Sequence, residues 1–250
     1  MAQVGMHKTT LSGHSRRPFA TTLWSLAIEV NATQARDARG ALVDLCLRYW
    51  YPVYAYVRRR GHAPRAAQDI AREFLRRLFA IFRDDRDPLT RGQFRTYLIG
   101  RLDAFLAGSR DGRPHADVVV EIDTPPPDLE ERYQHDHAGD APAESVYQRS
   151  FALEVFARAF RRLRGEAEQL GNLGMYDALQ PYIALDPPPG EYERIAARLH
   201  RQPLALIVAL KRLRQRFREL IVEELADTVA SADELRAEQH ALHAALRDWT

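Results

Sequence analysis

Hydrophobic positions recur at helical spacing through most of this chain, and Pro and Gly mark where one run stops and the next begins. The strongest pair of runs lies between Glu191 and Leu220, EYERIAARLHRQPLALIVALKRLRQRFREL. Tyr192, Ile195, Ala196 and Leu199 share one helical face, and His200-Arg201-Gln202 then interrupts with no apolar residue. Pro203 opens a second run with Leu206, Leu210, Leu213, Phe217 and Leu220 on one face. Proline suits the first helical position, where the N–H has no partner inside the helix, so Gln202-Pro203 reads as a cap and a helix start. A short helix, a tight turn and a longer basic helix predict a helix-turn-helix.

Upstream, Thr21-Thr22 can cap a helix holding Leu23, Trp24, Leu26, Ala27 and Val30. A longer helix is expected from about Asp37 to Arg60, with Leu42, Leu45, Cys46, Tyr49, Val53, Tyr56 and Val57 on its face and a kink or break at Pro52. A third carries Ala67, Ile70, Phe74, Leu78 and Ile81, and a fourth, Arg91 to Leu106, turns Phe94, Leu98, Leu102 and Phe105 inward. Residues 1–18 form a loose arm, and 19–107 form one bundle. Residues 108–142 hold Gly, Pro-Pro-Pro and acids with little periodicity, apart from a short extended piece at Val118 to Ile122, and mark a linker. The second domain, 143–228, has a helix with Val146, Leu153, Phe156, Phe160 and Leu163, another from Met175 to Ile183, and then the helix-turn-helix. A weaker helix with Leu235, Leu242 and Leu246 lies in the tail, 229–250, and packs back or meets a partner. The expected fold is all-α, two small helical domains joined by an acidic linker.

The chain has 250 residues, 46% hydrophobic and 28% charged, with a net charge of only +2, so partners are selected by where charge sits. Acids crowd Glu121 to Glu144, whereas Val57 to Gly61 and Lys211 to Arg218 are basic. On the second helix of the corner, Lys211, Arg214 and Arg218 lie opposite the apolar stripe: a strip for phosphates, or simply a solvated face. Arg58-Arg59-Arg60 divides in the same way between capping its helix and contacting nucleic acid. Trp24, Trp50, Phe74, Phe94 and Phe105 read as core, while Tyr49 to Tyr51 holds more aromatics than one face can bury.

A single cysteine, Cys46, excludes an intrachain disulfide and reads as buried filler. No apolar run approaches a membrane span and no hydrophobic leader opens the chain, so a cytoplasmic protein is expected. There is no glycine-rich phosphate loop, His-Glu zinc signature or nucleophile elbow. His135 and His137 flanking Asp136 read as solvated linker residues rather than metal ligands, and Glu130-Glu131 as linker charge. No catalytic residue, metal or cofactor is expected.

TTLWSLAI, LCLRYWYPVYAYVRRRGH, AQDIAREFLRRLF, RGQFRTYLIGRLDAFL, YERIAARL and ALKRLRQRFRELIVEELADTV together resemble the extracytoplasmic-function group of bacterial RNA polymerase sigma factors, over Phe19 to Leu246. The tail resembles the subset associated with serine/threonine kinases. The resemblance implies a non-enzyme that binds core RNA polymerase and directs promoter recognition, with promoter DNA and an anti-sigma factor or a serine/threonine kinase as further partners. It places polymerase docking on Gln68, Asp69, Arg72, Glu73 and Arg76 of the helix from Arg65 to Leu78. The downstream promoter element falls to Arg91, Arg95 and Arg101, and the upstream element to Arg201, Gln202, Lys211, Arg212, Arg214 and Arg218 in the major groove. It would thread the acidic linker toward the polymerase's active-site channel.

The chain departs from the family in three places. The acidic docking run is largely replaced, with Arg65, Ala66, Ala67, Gln68, Asp69 and Arg72 in its place and no phosphorylatable Thr beside Ala71. Asp103-Ala104 stands where a Lys-Asn pair is usual, and the recognition helix opens on Leu204, Leu206, Ile207 and Val208, which cannot read a donor and acceptor pattern. These departures suit a second reading, an adaptor of sigma-like fold that binds DNA or protein only with a partner or signal.

Overall fold

The computed structural model describes residues 35–84, 94–108, 126–137, 139–229 and 231–247, and every regular element among them is helical. In chain order these are α1 (Ala35–Arg59), α2 (Pro64–Asp84), α3 (Phe94–Leu106), α4 (Leu129–Asp136), α5 (Ala143–Gln169), α6 (Leu173–Leu179) with a 3-10 turn at Gln180–Tyr182, α7 (Glu191–Leu199), α8 (Pro203–Ala226) and α9 (Ala232–Arg247). The all-α expectation holds. The arm at 1–18, the helix at Thr21 to Val30, the extended piece at Val118 to Ile122 and Arg91 lie outside the described residues.

The fold is organised around α1. From Tyr49 to Val57 every residue is buried, which requires neighbours on all sides of the helix. Of the kink or break expected at Pro52, a break is not what forms, for α1 runs unbroken through it. Tyr49 to Tyr51 does hold more aromatics than one face can bury, and they are buried because neighbours cover α1 on every side. Tyr49 stacks on Phe151 of α5, ring centroids 5.3 Å apart, and meets Phe94 of α3 edge-on at 4.9 Å. The Cys46 thiol lies 3.8 Å from the Leu75 carbonyl of α2, and burial pushes its pKa up to about 12, so it is inert filler. Tyrosine hydroxyls at the rim of the helix reach acids on surrounding elements: Tyr51 donates to Asp136 (2.7 Å), Tyr54 to Glu130 (2.5 Å) and Tyr56 to Asp103 (2.6 Å).

The Tyr51 and Tyr54 bonds hold α4, which forms inside the stretch expected to be an aperiodic linker. Leu129 and Tyr133, one turn apart, are buried in the α1 core, and Arg58 grips Glu130 at 2.7 and 2.8 Å. Arg59 reaches the His137 carbonyl (3.3 Å), and Arg60 lies 3.7 Å from Asp103. The basic run at the end of α1 thus serves tertiary contacts rather than only its own helix end.

Two hydrophobic clusters share α5. Val146, Phe151 and Val155 belong to the α1 cluster together with Phe74, Leu98, Leu225 and Leu242, whereas Ala159 and Leu163 belong to a second with Leu179, Ile195, Leu206, Leu210 and Leu220. The clusters divide within α5. Three arginines converge on buried Glu224 near this division: Arg48 (3.3 Å), Arg158 (2.8 Å) and Arg162 (3.0 Å). The tail helix α9 packs back on α5 and α8 and delivers Leu242 to the first cluster.

One local conformation gives a stability prediction. His200, directly after α7, has φ 50° and ψ 48°, and the Arg201 N–H donates to the Ala196 carbonyl at 3.0 Å, the bond of a glycine-type helix stop. A side chain in this left-handed region costs energy that glycine does not incur. His200→Gly is expected to raise stability by about 1 kcal/mol, read as a higher urea midpoint at unchanged slope.

Candidate nucleic-acid interface

The corner predicted from sequence is present. α7 ends at Leu199, His200 to Gln202 make the turn, and Pro203 starts α8 with Gln202 in extended conformation, φ −84° and ψ 140°. Ile195 and Ala196 of α7 and Leu206 and Leu210 of α8 fill the angle between the helices. Glu191 is buried at the start of α7, where it accepts bonds from Tyr182 (2.7 Å) and Arg194 (2.8 Å). Arg194 and the Tyr182 hydroxyl hold its carboxyl down to about 2. A fixed carboxylate at a helix N-terminus also meets the helix dipole favourably.

The cations of α8 fall on two adjacent faces. Lys211, Arg214 and Arg218, with Tyr192 and Ile207, line a shallow pocket of about 360 Å³ across α7 and α8. Lys211 and Arg218 are exposed, and among the described residues Arg218 donates to the neutral amide of Gln215 at 3.0 Å and forms no ion pair. Arg214 is tied into the fold instead, donating to the Tyr182 carbonyl (2.8 Å), the Leu185 carbonyl (2.7 Å) and Asp186 (2.8 Å). It fixes the segment that leads into the corner and is not wholly available for phosphate. Arg201, Gln202 and Arg212 line a different groove, with Leu204 and Val208. Arg216, which the sequence did not single out as a contact, is held by Glu166 (2.7 Å) and Glu223 (2.9 Å).

The first half of the chain offers less. Arg95, expected to contact DNA, is buried: it pairs with Glu238 of α9 at 3.0 and 3.3 Å and sits 5.5 Å from the centre of the Phe151 ring. It shares the inward phase of Leu98 and Leu102, so helical spacing itself carried the signal against it. Arg101 is half-buried and makes no ion pair among the described residues. Asp103 accepts the Tyr56 hydroxyl and faces Arg60, so its charge serves the fold rather than standing alone against a phosphate backbone.

On α2, Gln68, Arg72, Glu73 and Arg76 are half-buried and Asp69 is exposed. Arg72 pairs with Asp69, and Arg77 with Glu73 at 2.5 Å. The two carboxylates of the expected docking set are therefore already matched by neighbouring cations.

His137 overturns its expected place in a solvated linker. It is buried, its Nε2 is 2.8 Å from Ser150 Oγ, and burial pushes its pKa down to about 4, assisted by Arg149, Arg59 and Arg132 and opposed by Asp136. His135 is exposed. Among the described residues no cluster of His, Cys, Asp and Glu could hold a metal ion, and no helix is long and apolar enough to cross a membrane. No protein-family model, curated protein or solved structure matches the chain.

Proposed function

We propose that this chain is a promoter-specificity subunit of sigma type, which binds core RNA polymerase and directs it to promoter DNA from the cytoplasm. One observation carries the reading: a two-helix corner whose longer helix presents Lys211 and Arg218 outward, with no acid against either among the described residues. A helix seated by a short partner helix and lined with unmatched cations is the geometry that enters a major groove and displaces counterions. The sequence resemblance adds the polymerase, with α2 as the docking helix and the two helical units as the two promoter-reading domains.

Affinity for duplex DNA is expected to fall steeply with salt, and Lys211→Ala and Arg218→Ala should each lower the log–log salt slope by about 1, measured by fluorescence anisotropy. Co-sedimentation with purified core polymerase tests the other half of the reading. No DNA binding at low salt together with no association with core would remove it.

A second reading is favoured by the pairing of Asp69 and Glu73 with Arg72 and Arg77 and by the exposure of Leu204, Ile207 and Val208 at the opening of α8. In that reading the chain is an adaptor that reaches DNA or polymerase only through a partner. Core binding that requires an added protein separates the two.

A further inference from the structure

The opening of α8 carries a face that the proposed DNA contact does not use. Leu204 and Val208 stand one turn apart, with Arg212 one turn further along, and they line a groove of about 760 Å³ completed by Leu170, just past the end of α5, and Met175 of α6. The aliphatic side chains are unusually open: Leu170 is 74% exposed, Leu204 70% and Val208 42%. Each would gain about 25 cal/mol for every Å² of apolar surface removed from water. Aliphatic residues gathered in one concavity mark an interaction site more often than the same residues scattered singly.

The rim has a single sign. Arg201, Arg212 and Arg216 are among the lining residues and no acid is. Arg216 is already held by Glu166 and Glu223, whereas Arg201 and Arg212 are exposed and make no ion pair among the described residues. Charge decides the occupant. A second copy seated here about a two-fold axis would bring Arg201 and Arg212 against their own equivalents, and like charges at an interface oppose association. Duplex DNA would satisfy the arginines but offers little to cover Leu170 and Leu204.

The geometry points to a docking groove for an amphipathic α-helix of a partner protein, aliphatic at i, i+3, i+4 and i+7 and acidic on its flanks. The apolar seam fills the groove and the flanking carboxylates meet Arg201 and Arg212, the helix-in-groove mode of recognition. This surface is separate from Lys211 and Arg218, so one chain can hold duplex and partner on neighbouring faces of α8.

The test uses the full chain and two labelled synthetic helical peptides with the same leucine seam, one flanked by Glu and one by Lys. The Glu-flanked peptide is expected to bind at least tenfold more tightly, a preference of about 1.4 kcal/mol. Arg201→Glu with Arg212→Glu should reverse that preference. Leu204→Gln with Val208→Gln should weaken binding at least tenfold at unchanged thermal midpoint, since both side chains are largely solvent-exposed before binding. Lys211→Ala with Arg218→Ala should leave peptide binding intact, so the outcome is independent of the DNA reading. Equal binding of the two peptides, or no binding of either at millimolar concentration, overturns the proposal. So does self-association in sedimentation that Leu204→Gln abolishes, which would put a second copy in the groove, or displacement of the peptide by duplex DNA in the Lys211→Ala, Arg218→Ala variant.

Discussion

Replacing Glu238 with alanine is expected to destabilise the protein by about 3–5 kcal/mol, the largest effect of any single charged residue considered above. The Glu238 side chain is 1% exposed and that of Arg95 8%, so alanine would strand a guanidinium in the core beside Phe151. The bond is also the point at which the tail is fastened to α3. The Arg95 backbone carbonyl in turn accepts the Tyr147 hydroxyl of α5 at 3.2 Å, so three helices meet at this residue. Replacing both partners, Arg95→Met with Glu238→Leu, removes the buried charges together and should cost far less than either single change. Urea unfolding of the two single variants and the double variant gives the coupling directly. A single-variant cost below about 1 kcal/mol, the range of exposed ion pairs, would show that water reaches the pair and that the tail is not fastened there.

The helices themselves were legible because a period of 3.6 residues is a local signal. Phe74 and Leu78 in α2, Leu98 and Leu102 in α3, and Leu206 and Leu210 in α8 are all buried as their spacing required. The turn at His200 to Gln202 was legible for the same reason, through Pro203 at the first position of α8. α4 was not. Its contribution to the core is Leu129 and Tyr133, a single i, i+4 pair among prolines and acids, too short a run to show a period. Its stability comes instead from Tyr54 and Arg58, more than seventy positions away. Distance in sequence likewise hid the partner of Arg95, although its phase already pointed inward. A cation at a core-facing phase is read as surface until its acid is known, and that acid lies 143 residues on.

This pairing also sharpens the electrostatics. With 36 basic against 34 acidic side chains the net charge says little. Much of the arginine content is consumed inside the fold, at Glu224, Glu130, Glu238 and Glu166. Several cations remain exposed without an ion pair among the described residues: Arg201, Lys211, Arg212 and Arg218 in the turn and on α8, and Arg65, Arg161 and Arg198 elsewhere. The four in the turn and on α8 are the largest such group, which is why both the DNA reading and the groove centre there.

Stability is also expected to fall between about pH 6.5 and pH 4 through His137 alone. Its folded-state pKa is lowered from 6.5 to about 4, so the fold favours the neutral ring. The sign follows directly: above pH 6.5 the ring is neutral in both states and the contribution is intact. Below 6.5 the unfolded chain takes up a proton that the folded chain refuses, and the loss is complete once the pH has passed about 4. At 1.36 kcal/mol per unit this amounts to about 3 kcal/mol. The ring lies 5.4 Å from the Tyr133 ring and 6.3 Å from that of Tyr51, and Arg59, Arg132 and Arg149 all disfavour a further positive charge there. Carboxylates such as Glu130, which the Arg58 bond holds down to about 2, add their own slope only below their unfolded value of 4.5. The interval from 6.5 to 4.5 therefore isolates the histidine from them. Urea midpoints taken at about pH 7 and about pH 5 should differ in the native protein and converge in His137→Gln, which cannot titrate. Equal pH dependence in both proteins would mean that water and a counter-ion already reach the ring, and the buried pairing with Ser150 would have to be abandoned.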